Sequence, residues 1–169
     1  SPEAARPIPE VASERIAYCH GRVLERGLAI GEDAPAKELH RLRIDCKKLR
    51  YLLEFFASLY DPEDLRALVG ELKLLQDNLG DFNDLQVQQT ALLDFARQMQ
   101  EEGTGTIEGL MAMGRLMERL EQRQSVERKR FAARFARFTS AENRKRMHRL
   151  LPPAPAAPVA DEAEEDPGP

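Results

Sequence analysis

The sequence predicts an all-α protein: an antiparallel four-helix bundle with long helices, followed by a disordered acidic tail rich in Pro and Ala. Three observations predict it. Apolar residues recur three and four apart through four long stretches, the period of a helix with one buried face. No stretch alternates apolar and polar residues as a half-buried strand would. Short segments with Gly, Pro and Asp separate the four stretches, and such short turns join neighbouring helices in opposite directions.

The first helix opens at Pro9, where a missing backbone N–H is tolerated, and carries Val11, Ile16, Ala17, Val23 and Leu24. It ends between residues 27 and 31, with Gly31 as the stop. His20 lies on it and reads as a surface residue. Asp33 before Ala34-Pro35 reads as the cap of a second helix that runs to about Tyr60. Asp61-Pro62-Glu63-Asp64 ends that helix and caps a third. Leu65, Leu68, Leu72, Leu75, Leu79 and Phe82 carry the third to about Gln100, with Gly80 as a weak point that permits a kink or a close approach. Residues 101–106 form a turn, and a fourth helix runs from Thr106 to Phe138. Its buried stripe is Leu110, Met113, Met117, Leu120, Phe131, Phe135 and Phe138.

The boundaries follow. Residues 9–138 form the bundle and residues 139–169 a tail. The tail is basic and polar to residue 151, with His148 solvated. From Pro152 it is Pro- and Ala-rich, and then acidic through Asp161, Glu162, Glu164, Glu165 and Asp166, a composition that cannot bury a core.

Composition narrows the function. A 169-residue chain with 42% hydrophobic residues fits one domain with an aliphatic core, and the absence of Trp agrees. The net charge of −4 argues against a general nucleic-acid binder. Cys19 and Cys46 lack metal-ligand spacing and read as small helix residues in a reducing cytoplasm. No apolar run is long enough to span a membrane and no signal peptide is apparent, so the expected location is cytoplasmic.

Local charge is more informative. Residues 39–51 hold five Arg or Lys, one His and a single acid, Asp45. On a helix His40, Arg43, Lys47 and Arg50 fall on one arc about 80° wide, apart from the apolar stripe of Leu42, Cys46, Leu49, Leu53, Phe56 and Tyr60. Arg41 and Lys48 point roughly a quarter turn away. Adjacent like charges on a helix repel by a few tenths of a kcal/mol per pair, and a polyanion would relieve them. Glu54 continues the stripe and could neutralise it internally, which leaves a solvated basic face as the alternative.

The wording of the stretch, His-x-x-Arg-x-x-x-Lys-x-Leu-Arg-Tyr from His40 to Tyr51, resembles the conserved histidine α-helical domain (CHAD) family. Leu75-Gln76-x-x-Leu79-Gly80-x-x-Asn83-Asp84 is similar to that family's second signature. The resemblance covers roughly residues 39–85 through the motifs and about 9–138 through the flanking helices. It implies non-catalytic binding of inorganic polyphosphate, without a cofactor, through basic side chains facing a channel. The implied binding set is His40, Arg43, Lys47, Arg50, Tyr51, Lys48 and Lys73, with Asp84 orienting a basic side chain of the second helix. Family domains usually hold two such repeats with facing stripes. This chain carries one, which reads like the C-terminal one, so the other half or a second copy is an expected partner. Polyphosphate or storage granules are an expected location.

Other readings are weaker. The Glu-x-Glu-x-Lys strand of the triphosphate-hydrolysing domains sometimes fused to this family is absent, as are phosphate-binding glycine loops and nucleophile elbows, so no enzyme is expected. Residues 77–84 resemble a calcium loop, but its glycine falls at the fourth position and the terminal Glu is missing, so no metal is expected. Arg115, Arg119, Arg123, Arg130, Arg134 and Arg137 make a second basic stripe that reads as a solvated face, or as the docking stripe of a helical protein-interaction module. Aromatics for base stacking are lacking beside the first stripe except Tyr51, so no specific nucleic acid is expected.

Overall fold

A computed structural model describes residues 6–151. The predicted disordered tail from Pro152 onward lies outside the described residues. The helices are α1 (Ile8–Leu28), α2 (Ala36–Phe55), α3 (Pro62–Glu102), α4 (Ile107–Phe138) and α5 (Ala141–Leu150), with a short 3-10 turn at Ala57–Leu59. There is no strand among the described residues, and no helix there is long and apolar enough to cross a membrane.

The first four helices run antiparallel, and α3 lies at the centre, packed by α2, α4 and α5. The expected apolar stripes build the core. Ile16 and Val23 of α1, Leu42, Cys46, Leu49 and Leu53 of α2, and Leu68, Leu72, Leu75 and Leu79 of α3 are all almost fully buried. From α4, Phe131, Phe135 and Phe138 complete it. Asp61 caps α3 as expected, its carboxylate accepting from the backbone N–H of Glu63 at 3.0 Å and of Asp64 at 3.1 Å.

Five expectations need correction. Asp33 caps nothing: Pro35 is the N-cap residue of α2, whose first turn has no side-chain cap. The second helix stops at Phe55 rather than Tyr60, and its last apolar residues, Phe56 and Tyr60, are only half-buried in the turn that follows. His20 is not a free surface residue. It packs edge-on against Phe138 with centroids 6.0 Å apart, and burial lowers its pKa. The stripe of α4 is buried only from Leu120 onward, and Leu110 remains 44% exposed.

The fifth correction concerns residues 139–151, expected as the start of the tail. They contain α5, capped by Ser140 and folded back on the bundle with Met147 and Leu150 in the core. Asn143 Nδ2 donates to the Arg137 carbonyl at 3.0 Å, and Arg149 binds Asp64 through two hydrogen bonds of 2.7 and 2.5 Å. That guanidinium holds the Asp64 carboxyl below the usual carboxylate range. His148 is exposed, as expected.

Candidate functional site

The buried stripe of α2 fixes the rotation of that helix. With Leu39, Leu42, Cys46, Leu49 and Leu53 inside, Arg43 and Arg50 are held half-buried against α3, while His40, Lys47 and Tyr51 stand exposed. An open groove between the two helices is lined by Arg43, Arg50, Lys73, Gln76, Asp77, Gly80, Asp81 and Asp84. Lys48 is not in it. It lines a separate small cleft on the α1 side with Tyr18, Cys19, Arg22 and Asp45.

The two sequence motifs meet across this groove. His40 Nδ1 lies 3.0 Å from Asn83 Oδ1, so the ring N–H donates to the amide oxygen and Nε2 stays available. Gly80 faces Arg43: a Cβ there would lie 3.8 Å from the guanidinium Nε. Arg50 Nε and Gln76 Oε1 are both buried without a hydrogen-bond partner. Tyr51 organises the outer edge, with Lys47 Nζ 5.7 Å and Arg50 Cζ 5.3 Å from its ring centroid, within range of cation–π attraction.

The pairing of the cations is uneven. Arg41, off the stripe, donates to Glu38 at 2.8 Å. Arg26 of α1 binds Asp45 at 2.7 Å, so the single acid of the stretch is engaged away from the groove. Among the described residues Glu54 reaches only Lys73, at 3.9 Å. Arg43, Lys47 and Arg50 make no ion pair among the described residues, although Asp77, Asp81 and Asp84 stand on the α3 wall. Asp84 shares the groove with Arg43 without a hydrogen bond or ion pair to it. The residue that orients a stripe side chain is Asn83, on His40. Sequence reasoning passed over Asn83 as a site residue, although it sits within the second motif.

A family model for the CHAD domain matches residues 1–93, which include both motifs. The chain belongs to the CHAD domain family. No curated protein matches it. Within this CHAD chain the match spans α1, α2 and most of α3, and so includes both walls of the groove, whereas α4 and α5 lie beyond it.

Helix α4 supports the α3 wall from behind. Asn78 Nδ2 donates to the Glu127 carboxylate at 2.9 Å and to its carbonyl at 3.0 Å, and Arg130 donates to the same carboxylate at 2.7 Å. Of the second basic stripe, Arg130 and Arg137 are therefore engaged within the bundle, the latter with Glu71 at 2.7 Å. Burial, then Glu127, Asp84 and Asp77, raise the Asp81 pKa. Burial pushes both cysteine thiols up, and Cys46 is fully enclosed. No group of three His, Cys, Asp or Glu among the described residues is arranged to hold a metal ion.

The raised pKa of Asp81 gives a signed expectation. A carboxyl that binds its proton more tightly when folded contributes stability that is complete below its unfolded pKa, about 3.9, and lost as pH rises through the folded value. Asp81→Asn should therefore unfold at higher urea than the natural chain at pH 7, and the gap should close below about pH 4. Urea melts at the two pH values check this. A variant less stable at pH 7 would show that the carboxylate is held by contacts rather than repelled.

Proposed function

We propose that the chain is a non-catalytic module that binds inorganic polyphosphate along the α2 face of the groove. The observation that carries this reading is that Arg43, Arg50 and Lys73 converge on one groove, with Lys47 beside Tyr51 at its edge, and that Arg43, Lys47 and Arg50 have no carboxylate partner among the described residues. Polyphosphate has about one negative charge per internal phosphate. Arg meets phosphate oxygens with a planar fork of donors, and Lys with a mobile point charge. Successive stripe residues rise by about 4.5 to 6 Å along the helix, a spacing that can engage a repeating anion. His40, steadied by Asn83, adds a donor when its ring is protonated. Association with polyphosphate or storage granules follows from the same reading.

Titration calorimetry tests it, with long-chain polyphosphate set against DNA of equal charge. Tighter binding of polyphosphate is expected, with affinity falling as salt rises and no phosphate released. Arg43→Ala with Arg50→Ala should weaken binding far more than Arg41→Ala with Lys48→Ala, although each pair removes two charges. The first two line the groove; Arg41 is tied to Glu38 and Lys48 faces α1. Equal losses from the two pairs would mean that binding is diffuse and the groove is not the site.

A second reading, a helical protein-interaction module, is favoured by a different feature: the exposed apolar side chains of the far ends of α3 and α4.

A further inference from the structure

The groove between α2 and α3 has two unlike walls. Arg43 and Arg50 stand on the α2 side, and Lys73, Asp77, Asp81 and Asp84 on the α3 side. The three acids are spaced i, i+4, i+7, which puts them on one face of α3 in a row that rises about 10 Å. All three are exposed. Three contacts set the row beside the basic stripe. Asn83 meets His40 at 3.0 Å, Gly80 faces Arg43, and Lys73 lies 3.9 Å from Glu54. Because the two helices are antiparallel, Asp81 and Asp84 run alongside Arg43 and His40, whereas Arg50 lies toward Lys73 and Gln76.

None of the three acids accepts a side-chain hydrogen bond or enters an ion pair among the described residues, although cations line the same groove. The charge of Asp81 is held at a cost in stability, since burial, then Glu127, Asp84 and Asp77, raise its pKa. Arg130 of α4 opposes that rise but donates to Glu127 at 2.7 Å. Unpaired carboxylates beside an anion site also weaken binding. What such a row can supply is discrimination between anions. Polyphosphate is a single row of phosphates and can follow α2 alone. The axes of packed helices are about 8–10 Å apart. Duplex DNA presents two rows of phosphates, about 6 or 12 Å apart across its grooves. When one row lies on the α2 stripe, the other falls over α3 and meets the carboxylates.

We propose that Asp77, Asp81 and Asp84 are specificity-determining residues of the groove: they repel polyanions wide enough to reach α3 and so restrict the α2 stripe to a single row of phosphates. The inference rests on the polyphosphate reading above, and it concerns which polyanions the groove refuses rather than which residues hold the one it accepts.

Titration calorimetry of the full chain at low salt, with long-chain polyphosphate and with duplex DNA, tests this. Asp77→Asn combined with Asp81→Asn and Asp84→Asn keeps the shape of the wall and removes its charge. The variant should keep its helicity, because none of the three side chains holds a partner. Its affinity for duplex DNA should rise at least about tenfold and its affinity for polyphosphate about threefold or less, so the ratio in favour of polyphosphate falls. Asp81→Asn alone should move the ratio the same way by a smaller factor, and it stands in if the triple variant loses helicity. The control is Glu101→Gln combined with Glu108→Gln and Glu121→Gln, which removes the same charge from exposed positions outside the groove. It should leave the ratio unchanged. Equal gains for the two polyanions in the Asn variant, or the same fall in ratio in the control, overturn this proposal alone. In either case polyphosphate binding that is lost with Arg43→Ala and Arg50→Ala leaves the polyphosphate reading standing. Failure of both the natural chain and the Asn variant to bind polyphosphate overturns that reading and this proposal together.

Discussion

Replacing Arg43, Lys47 and Arg50 together with alanine is expected to leave the bundle folded and to remove most of its affinity for polyphosphate. Charge-assisted contacts contribute about 1.5 to 3 kcal/mol each. Even at the lower figure, three sum to about 4.5 kcal/mol, roughly a thousandfold or more in Kd. The fold has little reason to respond. None of the three makes an ion pair or hydrogen bond among the described residues, and removing repulsion along α2 returns a few tenths of a kcal/mol per pair. What the fold gives up is the packing of the half-buried Arg43 and Arg50 stems against α3 and the cation–π contacts of Lys47 and Arg50 with the exposed Tyr51. Calorimetry gives the affinity and urea unfolding the stability. Binding equal to that of the natural chain would remove this stripe from the site.

The largest response in stability is expected from Gly27→Ala. On helix propensity alone the change should help by about 1 kcal/mol. The packing opposes it: a Cβ at Gly27 would stand 2.1 Å from Phe135 Cε2. The Phe135 ring is 7% exposed and stacks on Phe131 with centroids 5.6 Å apart, so it has little room to move. Overpacking of this kind costs about 1–3 kcal/mol, and a net destabilisation is expected. Gly21, on the same helix with nothing within 4 Å of its Cβ position, is the control: Gly21→Ala should stabilise by about 0.5–1 kcal/mol. Denaturant melts of the two variants should move in opposite directions. If both stabilise, the Phe135 ring gives way more easily than its packing suggests.

Gly27 and Gly80 show where sequence reasoning stops. Residue 27 reads as part of a helix end, because glycine is common there. Its tertiary role is to let α1 approach the aromatic face of α4. Gly80 reads as a weak point that permits a close approach, and Arg43 is the group that faces it. The composition around each glycine names neither neighbour.

Helix α5 was illegible for a related reason. Its ten residues are mostly charged or polar, and a helix that short is unstable alone. It exists because Met147 and Leu150 find the core and Arg149 finds Asp64, 85 residues earlier in the chain. The far ends of α3 and α4 are the converse case. Leu110, Met113 and Met117 have the spacing of a buried stripe, but α1 and α2 end before reaching them. Periodicity reports that a face is apolar, not whether anything covers it.

By itself the sequence determined the helical class, four of the five helices, the rotation of α2 and the two motifs by which the family is recognised. These are local properties: the period of apolar side chains, the chemistry of a cap, and the order of residues along one helix. Only the tertiary structure decided which cations stay unpaired. Arg26 of α1 and Arg43 of α2 are equally basic, yet one meets Asp45 on the neighbouring helix and the other faces Gly80. That difference depends on the position of other helices around α2, because an ion pair forms only where packing brings the two charges within a few ångströms.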